Sequence, residues 1–273
     1  MKIENASEKL GAIVSGVDMN DMSDDDWRVL YQTWLDRGVL VVRDQHFTIE
    51  QFLAQARRFG RVKPHRVRRT RHPEYPELTV MGVGTKTASG KIDQSVYTRG
   101  ANWHTDGPWD SEVCKATQLY ALEIPSTGGD TLFCNMYDAH DALPGELKRR
   151  LEGLRIEYVY GGRTRQGIDL LEPEDRALPA AVYPVIRNHS ETGRKSLFIN
   201  PVHFVRFVGL TDDAGNALAE ELFEHLVLPG SQFRHKWKKH DYVIWDNRCL
   251  LHAATGGYPI DEKRIHWRAT VME

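Results

Sequence analysis

Hydrophobic positions in the first sixty residues alternate between helical and strand rhythms. Ser23, followed by Asp24, Asp25 and Asp26, reads as an N-cap with an acidic first turn. Trp27, Leu30, Tyr31, Trp34 and Leu35 then recur at helical spacing, and Gly38 supplies the stop. Val39-Leu40-Val41-Val42 follows as a short, fully apolar run and predicts a buried strand. Thr48 to Gln51 resembles a capping box, and Phe52, Ala56 and Phe59 carry a second helix to Gly60.

From about residue 78 the rhythm changes. Short β-branched and aromatic runs alternate with turn signals such as Ser126 to Asp130, His189 to Gly193 and Gly256 to Pro259. Strands at that spacing predict a sandwich or barrel. Two helical stretches interrupt them, one after Pro144 with Leu147 and Leu151, and one around Leu218, Leu222 and Leu226. There is no internal repeat and no low-complexity linker. The expectation is therefore one domain over residues 1–273, mainly β with flanking α-helices.

Composition narrows the partners more than the fold. Charged residues are 27 % of the 273, yet the formal net charge is only −2. That balance gives no reason to expect nucleic acid or a membrane surface as partner. Cys114, Cys134 and Cys249 are odd in number and widely spaced, which reads as reduced cytoplasmic thiols and not as a disulfide framework. No run approaches the ~18 apolar residues of a membrane span.

Candidate chemistry lies in Asn102-Trp103-His104-Thr105-Asp106-Gly107, in His252, and in Lys263 to Arg268. Two imidazoles and one carboxylate form the facial set that holds non-heme Fe(II) with positions left open. One His-x-Asp is about what chance allows among 12 histidines. Three features of context add weight. On a strand, positions i and i+2 point to one side, so His104 and Asp106 can reach one ion. Trp103 and Trp109 flank them, and His252 follows the strand-like run Tyr242 to Arg248.

These residues resemble the taurine dioxygenase and 2,4-dichlorophenoxyacetate dioxygenase family of Fe(II)/2-oxoglutarate-dependent oxygenases. The likeness runs along nearly the whole chain, through Leu10 to Asp18, Gly38 to Gln45, Ala56 to Gly60, Trp103 to Asp106, Pro125 to Leu132, Trp245 to Arg248, His252 and His266 to Thr270. It implies a double-stranded β-helix, or jelly roll, with extra helices. It also implies iron ligation by His104, Asp106 and His252, with O₂ and 2-oxoglutarate as co-substrates giving succinate and CO₂. Asp106 implies a hydroxylase, since related halogenases replace that carboxylate with a small residue.

Arg264 is the candidate for the distal carboxylate of 2-oxoglutarate, because a guanidinium fork matches a carboxylate bidentately. The resemblance implies the same, adds Thr131, and places Arg268 toward the substrate or the co-substrate. On residue type alone Thr131 is an ordinary strand threonine and Arg268 a barrel-wall salt bridge. His65 matches a substrate contact of taurine dioxygenase, but the tyrosine expected three residues later is Arg68. The pocket wall further takes in Asn102, Arg163 and His203. A small organic anion other than taurine is the expected substrate, and a homo-oligomer the expected assembly. A solvated arginine face remains the bland alternative for Arg68 and Arg163. A zinc hydrolase using the same three ligands, or a cupin-like module with a structural metal, are the rival readings.

Overall fold

The computed structural model describes residues 1–82 and 100–273, so part of the strand-rich stretch predicted from residue 78 lies outside the described residues. The strands in the first part of the chain are β1 (Lys2–Asn5), β2 (Ala12–Ser15), β3 (Val39–Val42), β4 (Arg61–Val62), β5 (Thr79–Met81), β6 (Cys114–Glu123) and β7 (Thr131–Asn135). Next come β8 (Arg155–Tyr158), β9 (Ala181–Pro184), β10 (Ile186–Asn188), β11 (Lys195–Leu197) and β12 (Phe204–Phe207). The last are β13 (Gln232–His235), β14 (Tyr242–Asp246), β15 (Leu250–Ala254) and β16 (Ile265–Met272). The α-helices among the described residues are α1 (Asp24–Arg37), α2 (Ile49–Arg58), α3 (Met136–Ala142), α4 (Gly145–Leu151), α5 (Pro173–Arg176) and α6 (Asp212–Glu224), with short 3-10 turns between elements. The protein is mainly β, with helices packed outside.

Both predicted N-terminal helices form, for the reasons the sequence offered. Ser23 accepts from the Asp26 N–H at 3.1 Å, and Gly38 takes a left-handed φ of 69° as the C-cap. Thr48 and Gln51 make the reciprocal capping box, although α2 stops at Arg58, before Gly60. Val39–Val42 is buried along its whole length. It is sandwiched on both faces, which is why its sequence shows no polar alternation.

The large sheet runs β1-β2-β3-β14-β6-β16-β4, with β5 on β16. One face, carrying Leu40, Val42, Tyr120, Tyr242 and Ile244, packs on Trp34 of α1 and Phe52 of α2. The other face presents Val39, Val41, Leu119, Val243 and Trp245 to a second sheet, β13-β7-β15, through Phe133, Phe233 and Leu250. Period-two alternation thus sorts neighbouring residues of one strand into two cores. Helices α3, α4 and α6 close a third core over β8, β11 and β12. Helix α3 was not expected from sequence; Asn135 caps it by accepting from Tyr137 and Asp138. The helix predicted around Leu226 ends at Glu224, with Leu226 buried just beyond it.

Candidate metal centre

The space between the two sheets holds the candidate chemistry. Residues 103–109 are not a regular strand; His104 makes a single antiparallel bridge to His252. Their backbones exchange two hydrogen bonds, His104 N–H to His252 O at 3.0 Å and the reverse at 2.8 Å. His252 sits in the middle of β15, one strand later than the sequence suggested, because the preceding strand ends at Asp246. Its backbone register opposite Phe133 turns the imidazole inward, against Trp245. Asp106, two residues past the bridge, reaches the same point. One donor atom each of His104, Asp106 and His252 lies within 4.8 Å of the other two.

Asn247 and Thr117 hold this arrangement. The Asn247 side-chain oxygen accepts from the Asp106 N–H at 3.3 Å and from Trp245 Nε1 at 3.1 Å. Its amide donates to Thr117 Oγ1 at 3.0 Å and to Cys114 Sγ at 3.1 Å. Thr117 in turn donates to Asp106 Oδ2 at 2.6 Å. Thr105 is pinned from both sides, by the Asn247 carbonyl at 2.8 Å and the Asn200 amide at 2.6 Å. The loop is therefore built as firmly as a strand without pairing like one. His104 is oriented by the Asn102 carbonyl, 2.7 Å from Nδ1.

Electrostatics suit Asp106 and His252 to hold a cation. Burial alone would raise the Asp106 pKa, yet Arg268, His252, His104 and the Thr117 hydroxyl together hold the carboxyl well below its usual range. Burial, then the neighbouring His104, drives His252 well below the ordinary imidazole value, so it presents a free lone pair. One carboxylate and two imidazoles are the donor chemistry that a divalent first-row metal takes. The residues fit such an ion.

Two arginines come from the β16 segment, Arg268 on the strand and Arg264 just before it. Arg268 Nη2 lies 2.9 Å from Asp106 Oδ1, and its Nη1 is 3.5 Å from His65 Nε2. Arg264, just before the strand, donates from Nε to the Gly129 carbonyl at 2.8 Å and lies over the Trp237 ring. A Cβ at Gly129 would come within 3.0 Å of Arg264 Nε, so the turn's glycine makes room for the guanidinium. No carboxylate among the described residues pairs with Arg264. Burial lowers its pKa to about 10, which still leaves it charged at neutral pH. Thr131 Oγ1 accepts from Trp237 Nε1 at 3.0 Å, which fixes the indole beside Arg264.

The predicted wall residues divide. His203 is buried beside Trp109, ring centroids 4.3 Å apart, with Tyr160 at 5.0 Å from Trp109. Its Nδ1 accepts from the Gly161 N–H, and burial followed by His104 pushes its pKa down to about 3. His65 stands next to Arg268. Asn102 is exposed and meets His104 through its backbone. Arg68 pairs with Glu174 at 2.7 Å and with Asp175 at 3.3 Å. Arg163 is exposed, bonding the Val205 carbonyl and Asn216 and covering Phe204. The structure therefore gathers His65, His203 and Arg268 around the trio. It engages Arg68 and Arg163 with other groups. Thr117, Asn247 and Trp237 have no assigned site role in the sequence reading, and Trp109 enters it only as an aromatic flank of the His104–Asp106 triplet.

A profile of the family described as "Taurine catabolism dioxygenase TauD, TfdA family" matches residues 2–270. The chain belongs to the TauD/TfdA dioxygenase family. It is 36 % identical over 249 residues to the alpha-ketoglutarate-dependent 2,4-dichlorophenoxyacetate dioxygenase of Cupriavidus pinatubonensis, covering 87 % of this chain and 85 % of that one. It is 32 % identical over 274 residues to the (S)-phenoxypropionate/alpha-ketoglutarate-dioxygenase of Sphingobium herbicidovorans, covering 96 % and 91 %. The solved structure of AAD-2 in complex with Mn(II) and N-oxalylglycine superposes with a TM-score of 0.83 at 28 % identity, over 100 % of this chain and 97 % of that one.

A second buried group in this TauD/TfdA chain, His189, Asp246 and Cys249, also brings three potential ligands together. Its bonds argue against an ion. Asp246 accepts from Arg248 Nε at 2.9 Å, from Arg248 Nη2 at 2.7 Å and from His189 Nε2 at 2.9 Å. Arg248 continues to Glu191 at 2.7 Å. A cation would have to displace a guanidinium, so this cluster ties the β14–β15 turn to the β10–β11 hairpin and is structural. No helix among the described residues is long and apolar enough to cross a membrane.

Proposed function

We propose that residues 1–273 form one Fe(II)- and 2-oxoglutarate-dependent dioxygenase domain of double-stranded β-helix architecture, which hydroxylates a small organic anion. The observation that carries this is the convergence of His104, Asp106 and His252 to within 4.8 Å, with Arg268 at 2.9 Å from the same carboxylate. In this reading those three residues hold the metal, and Arg264 with Thr131 binds the distal carboxylate of 2-oxoglutarate. The bound iron and co-substrate supply the oxidising chemistry, with O₂ consumed and succinate and CO₂ released.

The chain's own residues then have defined tasks. Asp106 stays ionised through Arg268 and Thr117, while His252 and His203 stay neutral through burial. Trp109 and Tyr160 offer an aromatic wall, and Arg268 with His65 a polar end. A flat aromatic body with an anionic handle suits that pairing. The relatives that act on phenoxy acids make an aryloxyalkanoate the first substrate to try, ahead of sulfonates and sulfate esters. Arg68 and Arg163 are not needed in this pocket, because each is already paired. Family membership weighs against the zinc-hydrolase and structural-metal alternatives. No general-base glutamate is assigned to the trio, and Arg264 would have no task in a hydrolase.

The test is oxygen uptake and succinate release by the Fe(II)-loaded protein across aryloxyalkanoates, sulfonates, alkyl sulfates and phosphonates. Uptake that needs 2-oxoglutarate and is stimulated by an anion supports the reading. Hydrolysis without oxygen uptake would overturn it.

A further inference from the structure

The most costly unexplained group between the sheets is His266. It is fully shielded from solvent, and neither Nδ1 nor Nε2 has a hydrogen-bond partner among the described residues. On β16 it pairs with Ala121 of β6 and Met81 of β5. Directly opposed residues of antiparallel strands share a face, so the imidazole points inward with Ala121, as Arg268 does with Leu119. Its ring meets the edge of Trp237 at 4.4 Å between centroids, and His235 meets the same indole at 4.6 Å. Trp237 is the residue that bonds Thr131 and lies under Arg264. His266, Thr131 and Arg264 are therefore gathered around one indole, that of Trp237.

Leaving a buried donor and acceptor unpaired costs about 1–3 kcal/mol. A leucine or methionine in the same place would pack against Trp237 without that penalty. Burial, then Arg264 and His235, keeps the imidazole neutral, so it carries one N–H and one lone pair. A carboxylate arriving beside Arg264 has about four acceptor sites, more than one guanidinium fork and one hydroxyl can fill.

Resting on the reading that 2-oxoglutarate is the co-substrate, we propose that His266 is a positioning residue for it, donating its single N–H to the distal carboxylate beside Arg264. The expected readout is binding, not turnover. Calorimetric titration of 2-oxoglutarate into the Mn(II)-loaded protein should show His266→Leu weakened at least about tenfold, the loss of one hydrogen bond to a charged group. His266→Gln, which keeps an N–H, should stay within about threefold. Mn(II) affinity and the melting temperature without 2-oxoglutarate should not fall in either variant. Equal binding by wild type and His266→Leu would overturn the proposal, as would equal losses in both variants, which would mark a packing role. If the leucine variant does not fold, the imidazole N–H resonance of the Zn(II)-loaded wild type decides. It should shift and become protected when 2-oxoglutarate is added, and no change would refute the assignment. A wild type that binds no 2-oxoglutarate at all sinks the co-substrate reading itself, a result separable from either variant outcome.

Discussion

Arg268 and Asp106 form a buried ion pair, Nη2 to Oδ1 at 2.9 Å, between a candidate substrate anchor and a candidate metal ligand. A metal held by Asp106 would therefore share its carboxylate with the guanidinium. A fixed positive charge so close to the ion opposes metal binding, while the same charge attracts an anionic substrate. Arg268→Gln should accordingly bind Mn(II) at least as tightly as wild type. The same variant should need roughly tenfold or more anionic substrate, the loss of a charge-assisted hydrogen bond. Parallel metal and substrate titrations check both directions, and a variant with impaired metal binding would contradict the first.

Removal of a ligand should act in the opposite sense. His104→Ala, Asp106→Ala and His252→Ala should each lower metal affinity by more than the roughly 10- to 100-fold typical of residues that only support a ligand. Dialysis equilibrium with Mn(II) is the measurement. Wild-type affinity in any of the three would remove that residue from the set.

Arg264→Ala should raise the 2-oxoglutarate requirement by roughly 10- to 100-fold, the worth of a charge-assisted hydrogen bond in a partly desolvated site. Metal affinity should be nearly unchanged, because Arg264 bonds Gly129 and not the trio. An unaltered requirement would move the role to Arg268.

How much of this was readable from sequence depended on distance along the chain. The caps at Ser23 and Thr48 and the apolar run Val39–Val42 are local signals, and all three form as expected. The His104–Asp106 pair was found, but for a reason that holds only in part, since it sits on a one-residue bridge and not on a strand. Arg68 and Arg163 were read as pocket residues because nothing near them in sequence shows their partners. Those partners, Glu174 and Asn216, are brought in only by folding. Asn247 was hidden for a related reason: an asparagine at the end of a strand reads as a turn residue, and its bonds to Asp106, Thr117 and Cys114 are all long-range. His266 lies in the run His266 to Thr270, yet only its burial without hydrogen-bond partners among the described residues sets it apart.

The buried pair Asp246–Arg248 should make stability acid-sensitive. Although burial opposes ionisation, Arg248 and His189 hold Asp246 at about 2, and Arg248, Tyr31 and Lys115 hold Glu191 at about 2 against its own burial. Both values are depressed relative to the unfolded chain. Their stabilisation is thus complete above the unfolded carboxylate range near 4 and lost as pH falls toward 2. Urea unfolding of the wild type should weaken steeply over that window. Asp246→Asn should lose roughly 3–5 kcal/mol at pH 7, the cost of removing one carboxylate from a buried ion pair, and show a shallower acid slope. An unchanged slope would show that other carboxylates set the acid limit.

The frame around Asn247 and the wall around Trp109 are made from different parts of the chain. A backbone bridge and an amide bonded to Thr105, Asp106, Cys114, Thr117 and Trp245 fix the trio, whereas Tyr160 and His203 come from loops beside β8 and β12. Heritable change can therefore fall on the two with different consequences. Substitutions at Asn247, Thr117 or Thr105 disturb every reaction the fold could perform. In the proposed reading, substitutions at Tyr160 or His203 would alter which molecule is accepted while the metal trio stays in place. A library directed at those two positions would explore new substrates with little risk to the reaction, and a lineage could shift its diet by the same route.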